Sequence, residues 1–363
     1  MAELQDMPAA ETDAPLVVKV KPPARILKQV LAKRSETKRA ARREREPPLL
    51  DQAPQRYAEA VSVAAEACAE DTKGQTCYIC TEAVHWKTKE GLVRGCSCHG
   101  GDGFVHVSCL AEQAKILVAE AEENKLPRDP KWVRWHTCSL CKQHHHGVVL
   151  HALGWACWKT YVGRPETNWA RLSAMTLLGA GLSAADHHED ELSVREVEVS
   201  MRRRLGHPEA KLLVVQGNLA NTYTRLGRYE EANRLLREVY SGWLRFKGEE
   251  HYDTLLAANN YAHSFVSLRR FEEAKALQRK MMPVARRVLG ESHELALHLR
   301  WNYALTLHKD PSATLADLRE AVTTLEDAER TARRVLGGGH PTTEGMEESL
   351  RNARKALVRK TIS

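Results

Sequence analysis

The chain has 363 residues, room for two or three domains, with 43% hydrophobic residues, only 6% aromatic residues and a formal charge of +7. No run of about 18 apolar residues occurs, which predicts no membrane span. Glu3, Asp6, Glu11 and Asp13, with no apolar stretch among them, argue against a secretory or transit peptide.

Residues 1–50 read as a disordered, basic arm. Pro8, Pro15, Pro22, Pro23, Pro47 and Pro48 punctuate it, and Lys19 to Glu46 holds eleven Lys/Arg and three Glu. That net of +8 leaves the remainder of the chain near neutral. Arg25 to Glu46 has one short apolar stripe, Ile26, Leu27, Val30 and Leu31, among the cations. A localisation signal or nucleic-acid arm would have this composition, but so does a solvated tail, and the tail is the commoner case. Nucleic acid is therefore not expected as a partner. Residues 51–72 come next as an Ala-rich lead-in helix. Its Cys68 reads as a small buried residue.

Seven of the nine cysteines fall between Cys77 and Cys141. In order they form Cys77-x2-Cys80, Cys96-x-Cys98, His106-x2-Cys109 and Cys138-x2-Cys141. Close pairs bend around one ion, and structural zinc takes four thiolate or imidazole ligands. Eight ligands therefore predict two zinc ions, with the pairs combining two by two. Metal-type spacing also suggests a reducing compartment, cytoplasmic or nuclear. A full ligand count leaves no open position for catalytic zinc. His144, His145 and His146 exceed what two sites need and read as a polar loop leaving the module.

These residues resemble the RING-CH zinc finger. The order of four Cys, one His and three Cys matches, as do the single residue between Cys96 and Cys98 and the seven before His106. The local text Gly95-Cys96-Ser97-Cys98-His99-Gly100 and Gly103-Phe104-Val105-His106-Val107-Ser108-Cys109-Leu110 is similar too. The resemblance implies a cross-brace over residues 73–147. One site would be Cys77, Cys80, His106 and Cys109, the other Cys96, Cys98, Cys138 and Cys141. It also implies ubiquitin ligase activity through a docked ubiquitin-conjugating enzyme, with Ile79 as an apolar contact and Lys142 as a bracing cation. Gln113 stands where the family usually has Trp, and Ser139 where many RING modules have Pro. A PHD finger shares the ligand order, and Trp135 before Cys138 suits it, but the Cys96-x-Cys98 gap and the step to His106 do not. The alternative to a ligase is a non-catalytic zinc adaptor.

Residues 148–169 read as a connecting helix, with Trp155, Trp158, Tyr161 and Trp169 packing the finger against the C-terminal half of the chain. Residues 170–360 repeat. Asn218, Asn260 and Asn302 are spaced by 42, as are Ala220, Ala262 and Ala304, and Gly206, Gly248 and Gly290. Arg228-Tyr229-Glu230-Glu231-Ala232 returns as Arg270-Phe271-Glu272-Glu273-Ala274, and Leu318-Arg319-Glu320-Ala321 comes five residues late, after an insertion at 309–313. Each unit reads as an A helix, a short turn and a B helix. Such a unit cannot bury its apolar face alone, so about four of them stack as a solenoid. The pattern resembles the tetratricopeptide repeat, in its kinesin light chain variant. The fold class expected is thus mainly α: a small cross-brace dizinc RING-like module, a TPR-type α-solenoid and a disordered basic N-terminal arm. The resemblance implies a protein or peptide partner on the A helices. Asn218, Asn221, Asn260, His263 and Asn302 are the candidate peptide-binding residues, because an amide both donates and accepts. A bond between neighbouring repeats is the other use for those amides.

Overall fold

A computed structural model describes residues 48–96, 98 and 103–362. The basic arm lies outside these residues except for its end. There the fold differs from expectation: Leu49 and Leu50, expected to belong to the arm, are buried, and the Leu50 carbonyl accepts from Trp158 Nε1 at 3.1 Å.

Twelve helices longer than one turn carry the described chain. They are α1 (Ala53–Ala67), α2 (Val107–Glu123), α3 (Gly147–Tyr161), α4 (Trp169–Ala184), α5 (His188–Arg204), α6 (Glu209–Arg225), α7 (Tyr229–Lys247), α8 (Tyr252–Ser267), α9 (Phe271–Leu289), α10 (Glu294–Lys309), α11 (Leu315–Leu336) and α12 (Pro341–Ile362). Extended pairing among the described residues is limited to two isolated antiparallel bridges, Val93 with Val105 and Thr137 with His144. No helix of the described residues is long and apolar enough to cross a membrane.

The cysteine-rich segment is not a separate bead. A single hydrophobic core runs from Leu49 and Leu50 through Val93, Val105 and Leu110 to Trp155, Trp158 and Met201. α3 is its centre. It is apolar around its circumference, with Trp155, Cys157, Trp158 and Tyr161 all buried. Full burial of each large side chain contributes roughly 1.5–3 kcal/mol. α3 and α4 cross closely because their contact faces are glycine: a Cβ on Gly181 would lie 2.8 Å from the Leu150 carbonyl oxygen, and one on Gly154 3.2 Å from that of Leu177.

From α4 onward the helices pair as A and B: α4 with α5, α6 with α7, α8 with α9, and α10 with α11, with α12 packed on α11 and α10. Small residues make the close approaches. Ala220, Ala232, Ala262, Ala274, Ala304 and Ala321 are all fully or almost fully buried. Successive A helices touch, α6 with α8, α8 with α10 and α10 with α12, so they form the closely spaced inner row. The recurring glycines and histidines are helix punctuation. Gly248, Gly290 and Gly337 end B helices with φ between 79° and 97°, where a Cβ would be strained. Nδ1 of His251, His293 and His340 then accepts from the backbone N–H two residues on, at 3.1–3.2 Å, and caps the next A helix. The insertion before α11 is anchored: buried Asp310 accepts from Lys275 Nζ at 2.6 Å and from the Ser312 backbone at 2.8 Å.

Candidate metal centres and the repeat surface

The two Cys-x2-Cys segments fold into the same local knuckle. In the first, Thr81 N–H donates to the Cys77 carbonyl at 2.8 Å and Ile79 N–H to Cys77 Sγ at 3.4 Å. In the second, Lys142 N–H donates to the Cys138 carbonyl at 3.1 Å and Leu140 N–H to Cys138 Sγ at 3.4 Å. Thr81 and Lys142 turn the chain with left-handed φ of 66° and 63°. Backbone N–H groups aimed at sulfur favour thiolate over thiol, the form that binds metal.

The remaining ligand candidates arrive on other elements. The Val93–Val105 bridge, with N···O distances of 2.8 and 3.0 Å, aligns the arm leading to Cys96 and Cys98 with the arm leading to His106. His106 precedes α2 and Cys109 lies in its first turn. Four ligand atoms from Cys77, Cys80, His106 and Cys109 gather within 4.8 Å of one another, and four from Cys96, Cys98, Cys138 and Cys141 do the same. His106 turns Nδ1 toward Cys80 Sγ at 3.3 Å and Cys109 Sγ at 3.7 Å. In the second group Cys96 and Cys98 Sγ are 3.4 Å apart, and Cys98 and Cys138 Sγ 3.7 Å. A disulfide would need about 2.05 Å, whereas thiolates at ~2.3 Å from one tetrahedral ion lie about 3.8 Å apart. The donor sets therefore fit two metal ions. The ligands alternate along the chain, pairs one and three against pairs two and four, so neither centre forms without closing a long loop through the other. Tyr78 Oη and Ser139 Oγ, 3.1 Å apart, bridge the two knuckles directly.

Protonation in this site follows the packing. Burial favours the neutral ring of His106, which is the form that ligates. The Cys138 thiol is held well below its ordinary value, first by hydrogen bonding from Cys96 and then by the nearby backbone N–H groups, while Cys96 is pushed up in return. Cys157 stands apart: burial alone drives its thiol well up, as suits a core residue rather than a nucleophile.

Ile79 is half-buried against the core, and Lys142 is exposed with its ammonium on the Ser139 carbonyl of its own knuckle. Gln113 is half-buried on α2. The expected polar loop of His144–His146 is more structured than its composition suggests. His145 is buried, its N–H donating to the His136 carbonyl at 2.8 Å, and His144 stacks on His136 at 4.9 Å between centroids. Three consecutive histidines carry no periodic signal of burial, so sequence reasoning had nothing to find.

The five repeat-surface candidates do not act alike. Asn218 and Asn221 line a cavity of about 320 Å³ between α4 and α6, with Glu191, Arg195 and Arg225. His263 lines a neighbouring one with Arg225 and Lys309, and burial, then those two cations, lowers its pKa. Asn260 is half-buried on α8. Asn302 Nδ2 instead donates to Asn259 Oδ1 of the preceding repeat at 2.9 Å.

Residues 209–283, α6 to the middle of α9, match the tetratricopeptide repeat family model. Similar solved structures include a putative kinesin light chain with nearly identical TPR-like repeats from Podosopora anserina, at 19% identity over 63% of this chain and 97% of that one, TM-score 0.39. BtubC (BKLC) from P. vanneervenii is 14% identical over 70% and 88%, TM-score 0.40. The TPR2AB domain of yeast Sti1, in complex with pHSP90, is 10% identical over 68% and 99%, TM-score 0.25. No curated protein matches the chain. The family match and the stacked helix pairs around it identify the C-terminal part of this chain as a tetratricopeptide-type solenoid, a protein-interaction fold.

Proposed function

We propose that the chain is a zinc-stabilised ubiquitin ligase of the RING-CH type, with its repeats as receptor for a protein or peptide partner. One observation carries this reading: eight ligands gather in two groups whose pairs alternate along the chain, the arrangement of a cross-brace. Three thiolates with one imidazole, and four thiolates, are tetrahedral donor sets that suit zinc. Zinc there supplies structure, holding the knuckles in place. The chain's own surface does the rest. Ile79 offers an apolar contact to a charged conjugating enzyme, and Leu140, its counterpart in the second knuckle, is 47% exposed. Holding a thioester beside a substrate lysine on the repeats accelerates transfer by positioning alone. The metal-type spacing of the cysteines supports a reducing compartment, cytoplasm or nucleus, for this work.

A second reading, a non-catalytic zinc adaptor, is favoured by what surrounds the contact positions. The Ser139 hydroxyl is engaged with Tyr78, and the Lys142 ammonium with the Ser139 carbonyl. Gln113 offers no indole to a conjugating enzyme. The deciding experiment is reconstituted autoubiquitination with a panel of conjugating enzymes, together with elemental analysis. Two zinc ions per chain, ubiquitin chains with the intact protein, and at least tenfold slower formation in Ile79→Ala with zinc retained are expected. Silence across the panel with two zinc ions present leaves the adaptor reading. One ion or none overturns the cross-brace.

A further inference from the structure

At the joint between the cysteine-rich module and the solenoid, a cavity of about 370 Å³ opens between α4 and α6, at the end of α5. Arg128, from the segment after α2, overhangs one side, while Arg202 of α5 and Lys211 of α6 come from the other. We propose that this cavity is a binding site for a phosphoryl group, a phosphomonoester or phosphate dianion, separate from both metal centres and from the Asn-lined face of the repeats.

Three observations support it. The first is charge. Arg128, Arg202 and Lys211 line the cavity against one carboxylate, Asp129. Two neighbouring carboxylates are already engaged. Glu122 accepts both guanidinium arms of Arg164, at 2.7 and 3.0 Å, and the indole N–H of Trp169, while Glu198 bonds Arg195 and Arg202. The second is preorganisation. Arg128 lies over the Trp169 ring at 5.1 Å, which fixes its plane. Arg202 is 11% exposed and is pinned by Glu198 at 3.1 Å and Thr176 Oγ1 at 3.1 Å, and its Nη1 has no hydrogen bond among the described residues. A held guanidinium loses little freedom on meeting an oxyanion, which is why arginine favours such ligands. The third is the rest of the lining. Ser173 and Thr167 bring hydroxyls, and His207 stands close enough to Arg202 and Lys211 that, after burial, those cations lower its pKa. A dianion would reverse that pressure and draw a proton onto the ring. Hydroxyls, guanidinium, ammonium and imidazolium are all donors, and a phosphoryl group is all acceptor.

The test uses the full chain with zinc bound and phosphorus NMR at constant ionic strength in chloride. The probes are inorganic phosphate and a Gly-phosphoserine-Gly peptide. Saturable binding, weakened at least tenfold in Lys211→Gln and in Arg128→Gln but not in the distant Lys355→Gln, is expected. Both lining residues are exposed, so these variants fold. Tighter binding of the peptide than of phosphate identifies a phosphorylated protein segment as the source; equal binding identifies free phosphate. Absence of saturable binding, or equal weakening by Lys355→Gln, overturns the proposal.

Discussion

Gln143 Nε2 donates to the Leu336 carbonyl at 2.8 Å across 193 residues of sequence. The second cysteine knuckle therefore touches the end of α11, and three residues further on His146 meets the ring of His340, the cap of α12, at 6.3 Å. The solenoid thus turns back to its own start. The cysteine-rich module is held at both ends, through the shared core at α3 and α4 and through this contact at α11.

Removing metal is expected to be felt at this distant contact. Structural zinc can contribute roughly 10–16 kcal/mol to a small domain, so chelation should unfold residues 73–147. The shared core extends the loss to α3 and α4, and the Gln143 contact extends it to the α11–α12 turn. Hydrogen exchange should show α6 to α10 still protected while residues 336–345 exchange faster. Unchanged exchange at 336–345 would mean that the closure is independent of the metal module.

Gly181→Ala tests the α3–α4 crossing. Its Cβ would sit 2.8 Å from the Leu150 carbonyl oxygen and 3.0 Å from the His151 Cα, both backbone atoms that cannot swing aside. Helix propensity alone favours alanine by up to about 1 kcal/mol, but overpacking costs about 1–3 kcal/mol. Thermal unfolding should therefore shift down. An upward shift would show that the crossing relaxes freely.

The two cysteine–histidine groups and the repeats were legible in the sequence for the same reason: both are local devices repeated at a fixed step. A knuckle must return within a few residues to hold one ion, and a helix pair must place its alanines where the next pair touches. Leu50, Gln143 and His145 leave no such trace. Their partners are Trp158, Leu336 and His136, and nothing in the spacing announces them. The asparagine column shows a subtler failure. Asn302 keeps the 42-residue step, yet its partner, Asn259, is one place outside the column. Periodicity located the residue without revealing its use.

Lys275 and Asp310 form a buried ion pair in the C-terminal repeats whose contribution depends on pH at both extremes. Both side chains are less than a tenth exposed. Burial opposes charge on each, but the mutual bond, with Glu272 and Ser312 assisting, holds Lys275 above its ordinary pKa and Asp310 below. The Asp310 contribution is present above its unfolded pKa of about 3.9 and is lost as pH falls through the lowered folded value. The Lys275 contribution is present below about 10.4 and is lost as pH rises through the raised one. The contribution of this pair should be flat between these limits. Asp310→Asn should cost about 3 kcal/mol at neutral pH by leaving a buried cation, and Lys275→Met with Asp310→Leu should recover much of it. Denaturant melts of the three proteins measure this. Equal loss in single and double variants would mean that packing, not charge, holds the insertion.

The two uses of the repeat asparagines separate by mutation. Asn302→Ala removes a partly buried amide and leaves Asn259 without its partner, so roughly 1 kcal/mol of stability should be lost. Asn218→Ala and Asn221→Ala face a cavity instead. They should leave the unfolding midpoint within about 0.5 kcal/mol of the parent while weakening any peptide that binds the inner row. Differential unfolding gives the first comparison, and a peptide array probed with parent and variants gives the second. If Asn218→Ala destabilises as much as Asn302→Ala, the whole column is structural, and recognition of a partner falls to the exposed cations beside it, Arg225 and Lys309.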